Sequence, residues 1–534
     1  MIRRFQTNVN VIECLPMKTP LSLIPLPSSC VLKTGYVDFP PTSSIAWKGK
    51  DAEGVALLLA EYLRPATGFA WRVGADASRA MIVLTQTRCP KPDAAGFLPE
   101  DYTLSAQGGK VHIAASSAAG LARGIQTLRQ LFPAEIYAPT RQAKPWRIPC
   151  VRIADAPQFR WRGLMLDVSR HFFSVDEVCR YIELLAQHRM NVCHLHLTDD
   201  QGWRVHIRRY PKLTSVGSRQ DFTSRLKEGD RRVAQYDRKP GGGFFTRKDI
   251  KAIVDFAARR HVTVVPEIEV PGHSQAAIAA YPELGNRDAS PQEPAQYWGN
   301  VLNIDNATVR FMKNVLDEVM EMFPSKFIHI GGDEVDKRQW NASRRARALM
   351  RRRGLKGADE AQSWMIGEID RHVAKRGRRA IGWDEILEGG LAKGATVMSW
   401  RGEQGGIAAA RQGHDVVMAP TSHTYFDYYQ SKPVKKEPLA IGGMTTLRKV
   451  YGFSVIPAEI PASRRHHVLG GQGQLWTEYI ASCSYLDYMA YPRACALAEA
   501  LWSPDKKRSF PEFMKRLRTH RQRFKAQDVN AWGH

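Results

Sequence analysis

From about residue 157 onward, strand-like runs alternate with helix-like runs, and no other feature of this 534-residue chain restricts its fold as strongly. Eight apolar, β-prone stretches read as strands: Gly163 to Val168, Val192 to Leu197, Val262 to Val270, Lys326 to Ile330, Arg379 to Trp383, Ala395 to Trp400, Asp415 to Ala419 and Gly471 to Trp476. Helical periodicity fills gaps between them, as in Val175 to His188, Arg247 to Arg260, Ala307 to Met322 and Ala361 to Arg376. Eight βα units predict an α/β chain with a (β/α)₈ TIM barrel over residues 151–534. Chemistry in such a barrel sits at the C-terminal ends of the strands.

The residues before the barrel are of another kind. Residues 20–150 read as a small α+β domain: a helix from Asp51 to Leu63, a strand from Ala80 to Leu84, a hairpin around Gly108-Gly109, and a helix from Leu121 to Leu131. Pro145 and Pro149 mark 141–149 as a linker. Residues 1–19 are expected to be an extension, with Met17 as an alternative start. No apolar run there resembles a secretory signal and none elsewhere approaches 18 residues, so a cytoplasmic protein without a membrane partner is expected.

The formal net charge of +24 raises the question of nucleic acid. Lys and Arg are scattered, however, and the densest run, Arg344 to Arg353, carries apolar residues at helical spacing, which is the pattern of a solvated helix face. No nucleic-acid partner is expected. The eight cysteines show neither C-x-x-C nor ligand spacing, so no disulfide framework and no metal are expected.

Polar residues accumulate where the strands end. The rim offers Ser169-Arg170-His171, Thr198-Asp199-Asp200, Glu269 with His273, Asp333-Glu334, Trp383-Asp384-Glu385, Trp400-Arg401, Tyr425 with Asp427, and Trp476-Thr477-Glu478. Two insertions, at about 215–245 and 429–466, read as loops over that rim. Carboxylates, an arginine and tryptophans, without a glycine-rich phosphate cradle or a cysteine nucleophile, suit a carbohydrate: aromatic faces pack on sugar C–H faces, and charged groups take the hydroxyls. Glycoside hydrolysis is then the natural reaction. Asp333 and Glu334 are sequence neighbours and are poorly placed to flank one glycosidic bond from both faces, which suggests that the nucleophile is not a protein carboxylate.

Five ordered motifs carry a resemblance. Arg162-Gly163-x₃-Asp167-x-Ser169-Arg170-His171, Asn191-Val192-x-His194-x-His196-x₂-Asp199-Asp200-Gln201-Gly202-Trp203, Pro266-Glu267-x-Glu269-x-Pro271-Gly272-His273, His329-x-Gly331-Gly332-Asp333-Glu334 and Trp476-x-Glu478 together resemble β-N-acetylhexosaminidases of glycoside hydrolase family twenty. Leu23-Ile24-Pro25 and Arg123-Gly124-x₂-Thr127-Leu128 are similar to the small N-terminal domain of that family. The resemblance implies action on N-acetylhexosamine, without cofactor, through an oxazolinium formed by the substrate's own acetamido group. Exo-action is expected because Arg170 and Glu478 end the first and last strands, which are neighbours in a closed barrel, and so can converge on one terminal sugar. The resemblance also implies Glu334 as general acid and base, Asp333 orienting the acetamido N–H, Tyr425 on the acetamido oxygen, and Trp383, Trp400 and Trp476 as pocket walls. Arg170, Glu478 and Asp427 would hold hydroxyls, with Asp199 and His273 supporting the acid.

Other readings stay open on the residues alone. A retaining glycosidase with Glu478 or Glu269 as nucleophile fits, as does a barrel that only binds GlcNAc polymers. His194 and His196 are expected inside the barrel as hydrogen-bonded polar residues, with no third metal ligand. Asp200, Asp384 and Glu385 are left out of the catalytic set, and Asn306, within a glycosylation sequon, is expected to cap a helix.

Overall fold

The computed structural model describes residues 21–220, 224–227, 230–236, 241–289 and 300–533. The expected 1–19 extension and part of the first rim insertion lie outside the described residues.

Eight parallel strands close into a barrel, each hydrogen-bonded to its sequence neighbour and the last to the first. In chain order they are Trp161–Asp167, Val192–His196, Thr263–Glu267, Phe327–His329, Arg379–Trp383, Thr396–Ser399, Val416–Met418 and Val468–Gly473. All eight expected segments are strands. Their ladders end earlier than several of the apolar runs do, because the last residues of each run leave the sheet to build the rim. Register places Asp167, His196, Glu267 and His329 side by side on the first four strands, so a polar layer lies across the barrel interior beneath its C-terminal mouth.

Helices cover the barrel with apolar faces turned inward. Val175–Gln187 begins in a capping box, Ser174 accepting from the Glu177 amide while Glu177 reaches back. Asn306–Met322 is capped by Asp305, whose side chain accepts from the Thr308 amide at 2.9 Å. The expected cap, Asn306, is instead the first helical residue, since the aspartate one position earlier already satisfies that amide. The arginine-rich helix Arg344–Arg353 buries Ala346, Leu349 and Met350. Among the described residues no helix is long and apolar enough to cross a membrane.

Before the barrel lies a seven-stranded sheet in the spatial order Ser29–Asp38, Arg147–Asp155, Tyr102–Gln107, Lys110–Ala115, Ile82–Gln86, Ser44–Lys48 and Arg72–Gly74. The expected linker is corrected here, for its end is strand. Pro149 is tolerated inside that strand because the ladder shifts: Val151 faces Leu32, while Pro149 faces Tyr36. The neighbouring strand bulges past the missing N–H.

Helix Ala118–Leu131 is buried along its whole length, and it bridges this sheet to the barrel. A Cβ on Gly120 would come within 2.5 Å of the Asp101 carbonyl oxygen, and one on Gly124 within 2.5 Å of Ile113 Cγ2, so the helix lies closer to the sheet than any side chain would permit. Arg123 from this helix donates to the carbonyls of Arg260 and His261 on the barrel.

Asp155 ends the sheet at the same junction, where it pairs with Arg189 at 2.6 Å and accepts from Tyr102 and Trp502. Asp155→Ala strands the Arg189 charge in a fully buried site, and unfolding should become easier by about 3–5 kcal/mol. A denaturant midpoint equal to wild type would show the junction to be dispensable.

Candidate active site

The fourth barrel strand ends in a backbone that only glycine accommodates. Gly331 and Gly332 adopt φ of 63° and 98°, and a Cβ on Gly331 would lie 1.7 Å from Glu269 Oε2. This turn sends Asp333 and Glu334 into a cavity of about 480 Å³ at the C-terminal mouth of the barrel. Glu334 itself has φ of 47°, as does His273 opposite it. Left-handed backbone at two non-glycine residues that meet across a cavity is strain held at a functional site. Gly331→Ala is expected to abolish activity outright, with loss of soluble protein or of the folded near-UV signal as the check.

His273 links the carboxylates. Its Nε2 lies 3.5 Å from Asp333 Oδ2 and 3.5 Å from Glu334 Oε2, while Nδ1 lies 3.3 Å from Asp199 Oδ1 and 3.5 Å from Asp200 Oδ2. Burial favours the neutral imidazole, but Asp199 and Asp333 outweigh it and hold the ring protonated well above the usual histidine range. The His273 hydrogen bond in turn lowers the Glu334 carboxyl, whose side chain is 60% exposed to the cavity. Asp199 stays ionised: burial would raise it, yet Arg170 and His273 hold it well below the carboxylate range.

Every expected site residue lines this one cavity: Arg170, Asp199, His273, Asp333, Glu334, Trp383, Trp400, Tyr425, Asp427, Trp476 and Glu478. Arg170, from the end of the first strand, reaches Asp199 at 2.9 Å, Asp167 at 3.1 Å and Glu478 at 3.7 Å, and its guanidinium lies 5.0 Å from the centre of the Trp476 ring. The first and eighth strands are hydrogen-bonded neighbours, which is why Arg170 and Glu478 meet. Trp383 and Trp476 have ring centres 5.9 Å apart, and Trp400 stacks with Tyr425 at 6.1 Å. Burial, reinforced by Glu478, pushes the Asp427 carboxyl well up. No described protein group donates to Asp333 Oδ1, Asp427 Oδ1 or Glu478 Oε2, although all three are buried.

Several groups set aside from the sequence belong here. Asp200 lines the cavity and faces His273. Glu385 accepts from Trp400 Nε1 at 2.8 Å, and its carboxyl rises to about 7 through burial and the nearby Asp333. Asp384 accepts from the Trp400 and Arg401 amides, thereby fixing the turn that presents Trp400. Their place directly after Trp383 at a strand end was the available signal. Tyr428 and Ile441 also line the cavity; Ile441 comes from the 429–466 insertion expected over the rim, whereas nothing in the sequence marked Tyr428.

The view of His194 and His196 as lacking a third partner is also corrected. Glu267 and His329 gather with His194, and Glu267 and Glu269 with His196, ligand atoms in each group lying within 4.8 Å. Their ring nitrogens are occupied by hydrogen bonds: His194 Nδ1 accepts from the Gln472 amide at 2.9 Å, and His196 donates to Asp199 at 2.8 Å and to Glu267. Glu269 is not among the cavity residues, and burial together with Asp333 pushes its carboxyl well up, so it is a neutral acid beneath the turn at Gly331. A second cavity, of about 580 Å³, lies at the other end of the barrel. Its one carboxylate, Glu100, is neutralised by Arg123 and Arg162.

Comparison with known proteins gives two profile matches: "Glycosyl hydrolase family 20, catalytic domain" over residues 159–505, and "Glycosyl hydrolase family 20, domain 2" over residues 20–156. A β-hexosaminidase of Porphyromonas gingivalis is 41% identical over 507 residues, covering 93% of this chain and 62% of that protein. One from Vibrio furnissii is 35% identical and covers 90% of this chain and 76% of that protein. Among solved structures, the GH20 β-N-acetylhexosaminidase of Streptomyces coelicolor A3(2) superposes with a TM-score of 0.82 at 33% identity, covering 97% of this chain and 98% of that one. The GH20 exo-β-N-acetylglucosaminidase of Vibrio harveyi, solved with N-acetylglucosamine, has a TM-score of 0.83 at 32% identity, covering 96% and 78%.

Proposed function

The chain belongs to glycosyl hydrolase family 20, and we propose that it releases single β-linked N-acetylhexosamine units from non-reducing ends, with retention, through substrate assistance. The observation that carries this reading is the placement of Asp333 and Glu334 on one turn, both facing the same imidazole nitrogen, in a pocket walled by aromatic rings. Two carboxylates on one wall serve as an orienting group and an acid. Attack on the anomeric carbon then falls to the 2-acetamido oxygen.

Each role follows from what its atoms lack or hold. Asp333 Oδ1 is buried without a donor, and the acetamido N–H of a bound sugar supplies one while the carboxylate balances the charge that grows on the oxazolinium. Tyr425 offers its hydroxyl to the acetamido oxygen, and Trp383, Trp400 and Trp476 enclose the methyl. Asp427, Glu478 and Arg170 take ring hydroxyls. With the pocket empty, the proton of the Glu334–His273 pair sits on His273. A sugar that fills the cavity strips water from Glu334, which raises its carboxyl and readies it to protonate the leaving oxygen.

Arg170 and Glu478, which meet where the first and last strands pair, are assigned to grip one terminal sugar, so that a chain does not run through. Hydrolysis of an aryl β-N-acetylglucosaminide, with no turnover of the matching glucoside, is the test of substrate assistance. On a chitin tetramer, monomer and trimer are expected first. Early dimer without monomer would mean an open cleft, and equal turnover of the glucoside would assign attack to a protein carboxylate.

A further inference from the structure

We propose that Glu267, on the barrel axis beneath the pocket, is a positioning residue that holds the Trp383 wall and, through His196, the Asp199–His273 pair that orients the acid. This rests on the reading of Glu334 as that acid.

Glu267 is fully buried, and four side chains converge on it. Its Oε1 accepts from Trp383 Nε1 at 2.9 Å and lies 2.7 Å from His329 Nδ1. Its Oε2 accepts from His196 Nδ1 and lies 3.0 Å from His194 Nε2. The other nitrogen of His196 faces Asp199 Oδ2 at 2.8 Å. Carboxylates accept and do not donate when ionised, so an imidazole with both nitrogens against carboxylates carries both protons. His196 is therefore a buried imidazolium, in keeping with a titration pushed up to about 10, where burial opposes the charge and Glu267 and Asp199 prevail.

The charges alternate from the barrel axis outward: Glu267 negative, His196 positive, Asp199 negative, then Arg170 and His273 positive, then Asp333 and Glu334. Other charged or titratable neighbours of His196 are Glu269, 4.0 Å from Nδ1 and neutral by burial, and His194 on the same strand. Asp167, in register with His196, is paired with Arg170, and the Trp476 ring lies edge-on to the imidazole at 4.8 Å. An ionised Asp199 keeps Nδ1 of His273 on its own side, leaving Nε2 toward Glu334. The same Glu267 carboxylate prevents Trp383 from rotating away from the sugar methyl.

Two effects follow, and they separate. His196→Gln removes a positive charge from behind Asp199. The proton shared by His273 and Glu334 is then held more tightly, and the basic limb of kcat/KM should move up by about half to one pH unit. KM at the optimum should stay within about twofold, because Trp383 keeps its bond to Glu267. Trp383→Phe removes the N–H together with part of the ring that walls the pocket, leaves His196 untouched, and should raise KM roughly fivefold with an unshifted limb. Glu267→Gln should show both effects, since a neutral amide leaves His196 singly protonated and offers one oxygen where two were used.

The measurement is a pH profile of kcat and KM on an aryl β-N-acetylglucosaminide with a poor leaving group, the fold of each variant being checked by circular dichroism. Limb positions equal to wild type in His196→Gln and Glu267→Gln would overturn the inference, as would an unchanged KM in Glu267→Gln. Should Glu267→Gln fail to fold, the limb of His196→Gln decides alone. Full activity of Glu334→Gln would instead remove the acid assignment, an outcome distinct from an acid that works but ignores Glu267.

Discussion

Glu334→Gln is expected to lose roughly 10²- to 10⁴-fold in turnover on substrates with poor leaving groups, the contribution of a positioned general acid. Nitrophenyl glycosides, whose leaving group departs unprotonated, should lose far less. The protein itself should be unharmed, because this side chain is 60% exposed and its contact with His273 is a long 3.5 Å. The ratio of the two losses is therefore diagnostic: a global defect slows both substrates alike, whereas a missing proton slows one. Wild-type turnover of both would place the acid elsewhere.

The barrel and its rim were legible because each strand is a short apolar run that stops in polar residues, and closure collects those ends whatever lies between them. Arg170 and Glu478 are about 300 positions apart, yet the pairing of first and last strands alone predicts that they meet. The small domain was read less completely. Strand Ser29–Asp38 is exposed along nearly its whole length, so no alternation marks it, and Arg72–Gly74 is three residues long. Arg147–Asp155 was obscured by Pro149, whose effect on the ladder is cancelled by a bulge in a different strand.

Glu267 was hidden for another reason. It stands in a motif, Pro266-Glu267-x-Glu269, whose two acids look alike on paper. Only the closed barrel distinguishes them, by bringing Trp383 from 116 residues away to one and leaving the other without a donor. Identical side chains two positions apart thus end as a buried anion and a buried neutral acid. Their partners decide, and no local pattern encodes partners.

Asp333→Asn is expected to slow formation of the oxazolinium by about 10²- to 10³-fold, the cost of one oriented group in a site organised before the reaction. The amide keeps the shape and can still accept from the acetamido N–H through its oxygen, but it no longer balances the positive charge that develops as the ring opens the glycosidic bond. A stable mimic of the cyclised intermediate, a thiazoline carrying the sugar ring, reads this directly: its cationic form should bind wild type tightly and the variant weakly, while simple N-acetylglucosamine binds both about equally. The contrast between the two ligands isolates charge from shape. Asp333 is buried beside His273 and the neutral Glu269, so little water screens its charge, and the difference should persist at high salt. Equal affinity of the thiazoline for both proteins would mean that no charge develops next to Asp333, and the nucleophile would then have to be sought at Glu478, the carboxylate held 3.7 Å from Arg170.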